Sequence, residues 1–152
     1  MDSSRSTRNF AKKDCIIEFD GASKGNPGRA GAGAVIRDAH DNSVLHRVQE
    51  GLGTATNNVA EYRALNRGLE FALSEGYRNV QVQGDSQLVC KQVRGEWKAN
   101  HPQMAELRNQ ARELGSQFNT FDIQHIPRES NSAADAQANQ AANLAQGERK
   151  YY

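Results

Sequence analysis

The sequence predicts an α/β domain: a five-stranded mixed sheet, three antiparallel strands followed by parallel ones, flanked by helices. Three observations predict it. Runs with strand character and runs with helical period alternate in the order βββαβααβα. The chain has 152 residues, the size of one domain, and 37% of them are hydrophobic, enough for one core. No apolar run reaches the roughly 18 residues that a membrane-spanning helix needs.

The elements follow in order. Met1–Asp14 is rich in Ser, Arg and Lys and lacks an apolar stretch, so it reads as a disordered leader. The ordered domain is expected over 15–145. Cys15–Phe19 is a β-type run that ends at Asp20, and the Gly-rich stretch Gly21–Gly33 follows it. Ala34–Arg37 and Val44–Gly51 read as two further strands, joined by the turn-like His40-Asp41-Asn42. Val59, Tyr62, Leu65, Leu69, Ala72 and Leu73 then recur at helical spacing until Gly76. Asn79–Gln83 alternates like a strand and runs into Gly84-Asp85. Ser86–Val93 and Gln103–Leu114 read as helices, the second started by Pro102. Phe121–Ile126 is the last strand, Ser132–Leu144 an Ala-rich helix, and 146–152 a polar, flexible tail.

Composition narrows the function. The net charge is +1, low for a nucleic-acid binder, so a phosphate partner must be met locally by a cation, backbone amides or a small basic patch. Cys15 and Cys90 form no CxxC or Cys/His cluster, which removes zinc and disulfide frameworks and suggests a reduced, intracellular setting. Oligomerisation has no signal, and a monomer is the default.

The informative acids lie at element ends. Asp20 and Asp85 end strands, and Glu61 and Asp135 sit in first turns of helices. Ligands of open α/β sheets collect outside the carboxyl ends of strands. Clustered carboxylates repel unless protons or divalent cations compensate them. Mg²⁺ suits such oxygen donors, and two ions about 3.5–4 Å apart hold the attacking and leaving oxygens of a phosphoryl displacement. Each acid also has a structural reading. Asn58 to Glu61 and Ser132 to Asp135 have capping-box spacing, and Asp20 and Asp85 adjoin turn-forming Gly21 and Gly84. Glu61 falls at the edge of the apolar stripe, which predicts half-burial at the rim of the sheet. Gly21–Gly28 contains a lysine and could cradle phosphate, but no Gly-Lys-Ser/Thr and no helix follow, and a tight turn explains it equally.

Taken together, four ordered motifs resemble the type 1 ribonuclease H family. They are Phe19-Asp20-Gly21-Ala22-Ser23-Lys24-Gly25-Asn26-Pro27-Gly28, Thr56-Asn57-Asn58-Val59-Ala60-Glu61, Gly84-Asp85-Ser86, and Asn131 through Asp135 with Ala138-Asn139. The resemblance covers about 15–145, and the wording is closest to plant members. It implies a ribonuclease H-like fold and an endonuclease that cuts the RNA strand of RNA–DNA hybrids, leaving 5′-phosphate and 3′-hydroxyl ends. It implies two Mg²⁺ or Mn²⁺ ions, with Asp20 bridging them, Glu61 and Asp85 sharing one and Asp135 helping to hold the other. By the same resemblance Ser23, Gly25 and Asn26 touch the RNA strand, and Asn57, Asn58 and Gln87 lie near the scissile step. Thr56 and Asn100 would grip a DNA phosphate, and Trp97 would pack on a DNA sugar or, alternatively, be an ordinary core or groove-wall residue. A nucleus or DNA-containing organelle is the implied location.

The sequence departs from well-known members in three places. No extra basic helix separates Trp97 from Gln103, which agrees with the low charge and predicts weak substrate binding or help from another domain or partner. Ile126–Asn131 is too short for a mobile histidine loop. His125 is then expected to line its strand, with assistance to product release near the site as the alternative, and Arg128 or Glu129 are candidate substitutes for the loop histidine. Gln137 replaces a usual leucine, and a helix-surface or core-edge place is expected for it.

Overall fold

The computed structural model describes residues 14–152. The leader expected over 1–14 lies outside this range except for Asp14, which opens the first strand. The strands are β1 (Asp14–Ser23), β2 (Gly28–Asp38), β3 (Val44–Ala55), β4 (Asn79–Gly84), β5 (Thr120–His125) and β6 (Arg149–Tyr151). The helices are α1 (Asn57–Ser74), α2 (Gln87–Val93), α3 (Pro102–Ser116) and α4 (Ser132–Ala141), with a 3-10 turn at Arg128–Ser130.

One mixed sheet runs in the order β5-β4-β1-β2-β3-β6. β1 to β3 form the antiparallel meander, and β4 and β5 run parallel to β1. β1 is therefore central, which is why Cys15, Ile17 and Phe19 are all buried. The sheet has six strands, not the expected five. Residues placed in a flexible tail form β6, which pairs Val48 with Tyr151 and Glu50 with Arg149.

The two faces of the sheet are covered by different helices. Gly68 of α1 lies over Ile17 and Ala34, and the core on that face is built from Ile17, Ile36, Tyr62, Leu65 and Leu69. Gly31 and Gly33 of β2 face the other way, onto α4. A Cβ on Gly33 would stand 2.3 Å from the backbone nitrogen of Ala138, so only glycine admits the helix. This explains a difference from the sequence reading: 28–33 is strand, and its small residues serve close packing instead of a loop.

Helix starts also differ in detail. Thr56 is the N-cap of α1, and its Oγ1 accepts from the Val59 N–H at 3.2 Å. Glu61 is thus past the first turn and is not a capping-box acid. Asn131, not Ser132, is the N-cap of α4, which leaves Asp135 in the first turn without a capping bond. Ser86 Oγ caps α2, and Pro102 starts α3 behind His101.

Candidate active site

The carboxyl ends of β1 and β4 lie side by side, with Phe19 paired to Gly84. Asp20 and Asp85 follow directly. Gly21 lets the start of α1 come within reach: a Cβ there would lie 2.4 Å from the backbone nitrogen of Glu61. The Gly21 N–H donates to both the Asp20 and the Glu61 carboxylates. One ligand oxygen each from Asp20, Glu61 and Asp85 lies within 4.8 Å of the others. Asp135, brought over by α4, lines the same pocket of about 510 Å³.

Glu61 is only 3% exposed and Asp20 5%, so the expectation of a half-buried Glu61 understated its burial. The electrostatics follow from that. Burial, together with the Asp85 and Asp135 charges, pushes the Asp20 carboxyl up to about 7, although its hydrogen bond with Glu61 works the other way. Burial, then the bond to Asp20 and its charge, holds Glu61 well above the usual carboxylate range. No Lys or Arg side chain pairs with any of the four acids among the described residues. Such a cluster of hard oxygen donors, lacking basic partners, fits a divalent cation of the Mg²⁺ type. Asp20, Glu61 and Asp85 are the residues that would hold one, with Asp135 beside them.

Ser23 and Asn57 line this pocket too. Asn26, Thr56 and Asn58 line a neighbouring cleft of about 360 Å³ with Gln92 and His101. The Asn57 N–H donates to Asn26 Oδ1 at 3.1 Å, tying the Gly25-containing loop to the start of α1. Gln87 opens α2 as an exposed residue. Trp97 is 42% exposed, which rules out a core role, and Lys91 Nζ lies 5.2 Å from its ring centre. Neither Trp97 nor the exposed Asn100 lines the carboxylate pocket.

Sequence reasoning named Arg128 and Glu129 as candidate substitutes and Lys24 as part of a possible phosphate cradle, but assigned no role to Asn131 or Asn139. Arg128 lines the pocket, whereas exposed His125 and Glu129 do not. Asn131, 1% exposed, donates from Nδ2 to the Phe19 carbonyl at 3.0 Å and to Asp85 at 3.4 Å, so it braces both strand ends. Lys24 and Asn139 bond across the pocket rim. The usable signal for Asn131 was its place just before an Ala-rich helix, and that for Lys24 was its place in the Gly-rich stretch after Asp20. Gln137, expected at a surface or core edge, is buried and bonded to Gln49 at 2.7 Å, a polar pair between sheet and helix.

A family model described as reverse transcriptase-like matches residues 18–141. A crystal structure of RNase H1 from the archaeon Halobacterium salinarum superposes with a TM-score of 0.83 at 43% identity, covering 87% of this chain and 99% of that one. This chain belongs to the ribonuclease H-like family, type 1. A structure of LC11-RNase H1 in complex with RNA/DNA hybrid matches with a TM-score of 0.79 at 36% identity, over 85% of this chain and 96% of that one. A bifunctional protein of Mycobacterium tuberculosis is 45% identical over 130 residues, which make up 86% of this chain and 36% of that protein. The chain therefore spans about a third of the length of that relative. The ribonuclease H-like fold expected from the motifs is the fold observed.

Proposed function

We propose that this domain hydrolyses the RNA strand of RNA–DNA hybrids, using two Mg²⁺ ions (Mn²⁺ being an alternative) and leaving 5′-phosphate and 3′-hydroxyl ends. The observation that carries the reading is the trio of buried Asp20, buried Glu61 and half-buried Asp85, with oxygens within 4.8 Å and no basic partner among the described residues. Family relatives named as ribonucleases, one of them bound to a hybrid, support the substrate class.

Asp20, which interacts with Glu61, Asp85 and Asp135 alike, would be the residue shared between two ions. Glu61 and Asp85 would share one, and Asp135 would help to hold the second. When bound, such ions activate water and stabilise the leaving oxygen. The protein supplies position. Ser23, Gly25 and Asn26 meet the RNA strand with short polar groups and backbone, which suits reading of a 2′-hydroxyl that both donates and accepts. Asn57, Asn58 and Gln87 flank the scissile step. Thr56 and Asn100 grip a phosphate of the DNA strand, and exposed Trp97 packs on its sugar. Arg128 stands at the pocket wall, where its fixed positive charge faces the phosphate undergoing displacement.

The test uses one labelled sequence as hybrid, double-stranded RNA, double-stranded DNA and single-stranded RNA, each with Mg²⁺, with Mn²⁺ and with chelator. Metal-dependent cutting of the RNA in the hybrid, with the stated ends, is expected. Cutting of DNA, or cutting that survives the chelator, overturns the reading.

A further inference from the structure

We propose that Lys24 is a substrate-binding residue whose ammonium binds a phosphate of the strand being cut, beside the carboxylate cluster. The inference rests on the hybrid-cleavage reading and adds to it a contact from the β1–β2 loop.

Lys24 lies on a loop whose backbone is held at both ends. Its N–H donates to the Arg29 carbonyl at 2.8 Å, and Ser23 Oγ lies 2.8 Å from the Ala55 carbonyl. From there the side chain reaches the far wall of the pocket, where Nζ donates to Asn139 Oδ1 at 2.5 Å. Asn139 is itself fixed, because its Nδ2 donates to the Asp135 carbonyl at 2.9 Å. The ammonium is thus parked one helical turn beyond Asp135, at the rim of the pocket that holds all four acids.

The partner's chemistry decides the role. Lys24 bonds a neutral amide and forms no ion pair among the described residues, so no carboxylate partner has to be given up for a phosphate. Arg128, the other cation on the pocket wall, likewise lacks an ion pair there. A polyanionic strand must enter an acidic pocket on a protein with a net charge of only +1. Cations at the rim are where that approach becomes favourable. Lys24 is exposed and can exchange its weak amide partner for a phosphate oxygen, a charge-assisted bond roughly twice as strong.

The experiment walks a single uncharged linkage along the cut strand. Each hybrid carries one deoxynucleotide methylphosphonate in an otherwise RNA strand, with the matching deoxynucleotide phosphodiester as control. Wild type, Lys24→Met and Lys24→Arg are compared by kcat/KM and by its dependence on salt. Wild type is expected to lose about 5–10-fold at one linkage close to the cut. Lys24→Met is expected to lose as much on the unmodified hybrid, mainly through KM, and nothing more at that linkage. Its log–log salt slope should be shallower by about 0.7–0.9. Lys24→Arg should keep most of the wild-type response. Equal linkage sensitivity in wild type and Lys24→Met at every position, or an unchanged salt slope, overturns the phosphate contact while leaving the function intact. Failure of wild type to cut the unmodified hybrid overturns the function, and this inference with it. Unchanged melting temperatures of both variants show that the fold is not the cause.

Discussion

Asp20 concentrates the conflict between folding and chemistry at the scale of one residue. Its carboxyl is buried beside three others, and its pKa rises from 3.8 to about 7. A folded-state pKa above the unfolded one means that the folded protein binds the proton more tightly. The stabilisation is complete below about pH 4 and is lost as pH rises through about 7. Metal-free Asp20→Asn is therefore expected to melt above wild type at pH 8, with the difference shrinking as pH falls toward 4. Mg²⁺ should raise the wild-type melting temperature at pH 8 and do little for the variant. Cleavage by the variant should fall by on the order of 10³–10⁶-fold, as for other residues that act as one catalytic unit. A melting temperature well below wild type at pH 8 would make Asp20 structural instead. Glu50 shows the opposite sign. Burial raises its pKa, but the Arg67 and Arg63 guanidiniums more than offset this and hold it below the usual range. Its contribution is present near neutral pH and is lost in acid.

At the scale of elements, the site depends on how closely helices approach strand ends. Gly21 is the clearest case, since α1 could not deliver Glu61 past a side chain at that position. Gly21→Ala forces the start of the helix outward. It should cost about 1–3 kcal/mol, a typical overpacking loss. Because misplacing a catalytic group by about 1 Å costs roughly 10²-fold, cleavage should drop by at least that much even below the melting transition. Thermal melts and single-turnover rates on the same preparation check both parts; normal rates in a destabilised protein would show that the approach is not needed for catalysis. Apolar period located the helices, but the caps came from the structure: Thr56, not Asn58, is the N-cap of α1, and Ser86 caps α2 instead of opening it. Period did not show that 28–33 is strand. Glycine and alanine have low strand propensity, and the closeness of α4 overrides that preference.

At the scale of the molecule, β6 closes the far edge of the sheet. Arg149 joins Arg63 and Arg67 around Glu50, and Tyr151 stacks on Phe71 with ring centres 5.3 Å apart. Deleting residues 149–152 should lower stability by about 1–2 kcal/mol, chiefly through the lost stacking and the Arg149–Glu50 pair. Denaturant midpoints check this, and hybrid cleavage below the transition should be unaffected because β6 is three strands from β1. An unchanged midpoint would show that the strand contributes nothing. Sequence gave no sign of β6, because Arg149-Lys-Tyr151 is polar and short and becomes a strand only by pairing with β3.

The sequence by itself determined the order of elements from β1 through α4 and the four acids at element ends. These are local properties: hydrophobic period and the motifs around Asp20, Glu61, Asp85 and Asp135. Tertiary structure alone decided how deeply Glu61 is buried, that Asn131 braces the ends of β1 and β4, and that Gln137 pairs with Gln49. It also decided that Lys24 spans the pocket to Asn139. The physical reason is sequence distance. Lys24 and Asn139 are 115 positions apart, and Asn131 and Phe19 are 112 apart, so only the packing of α4 onto the sheet brings their polar atoms together.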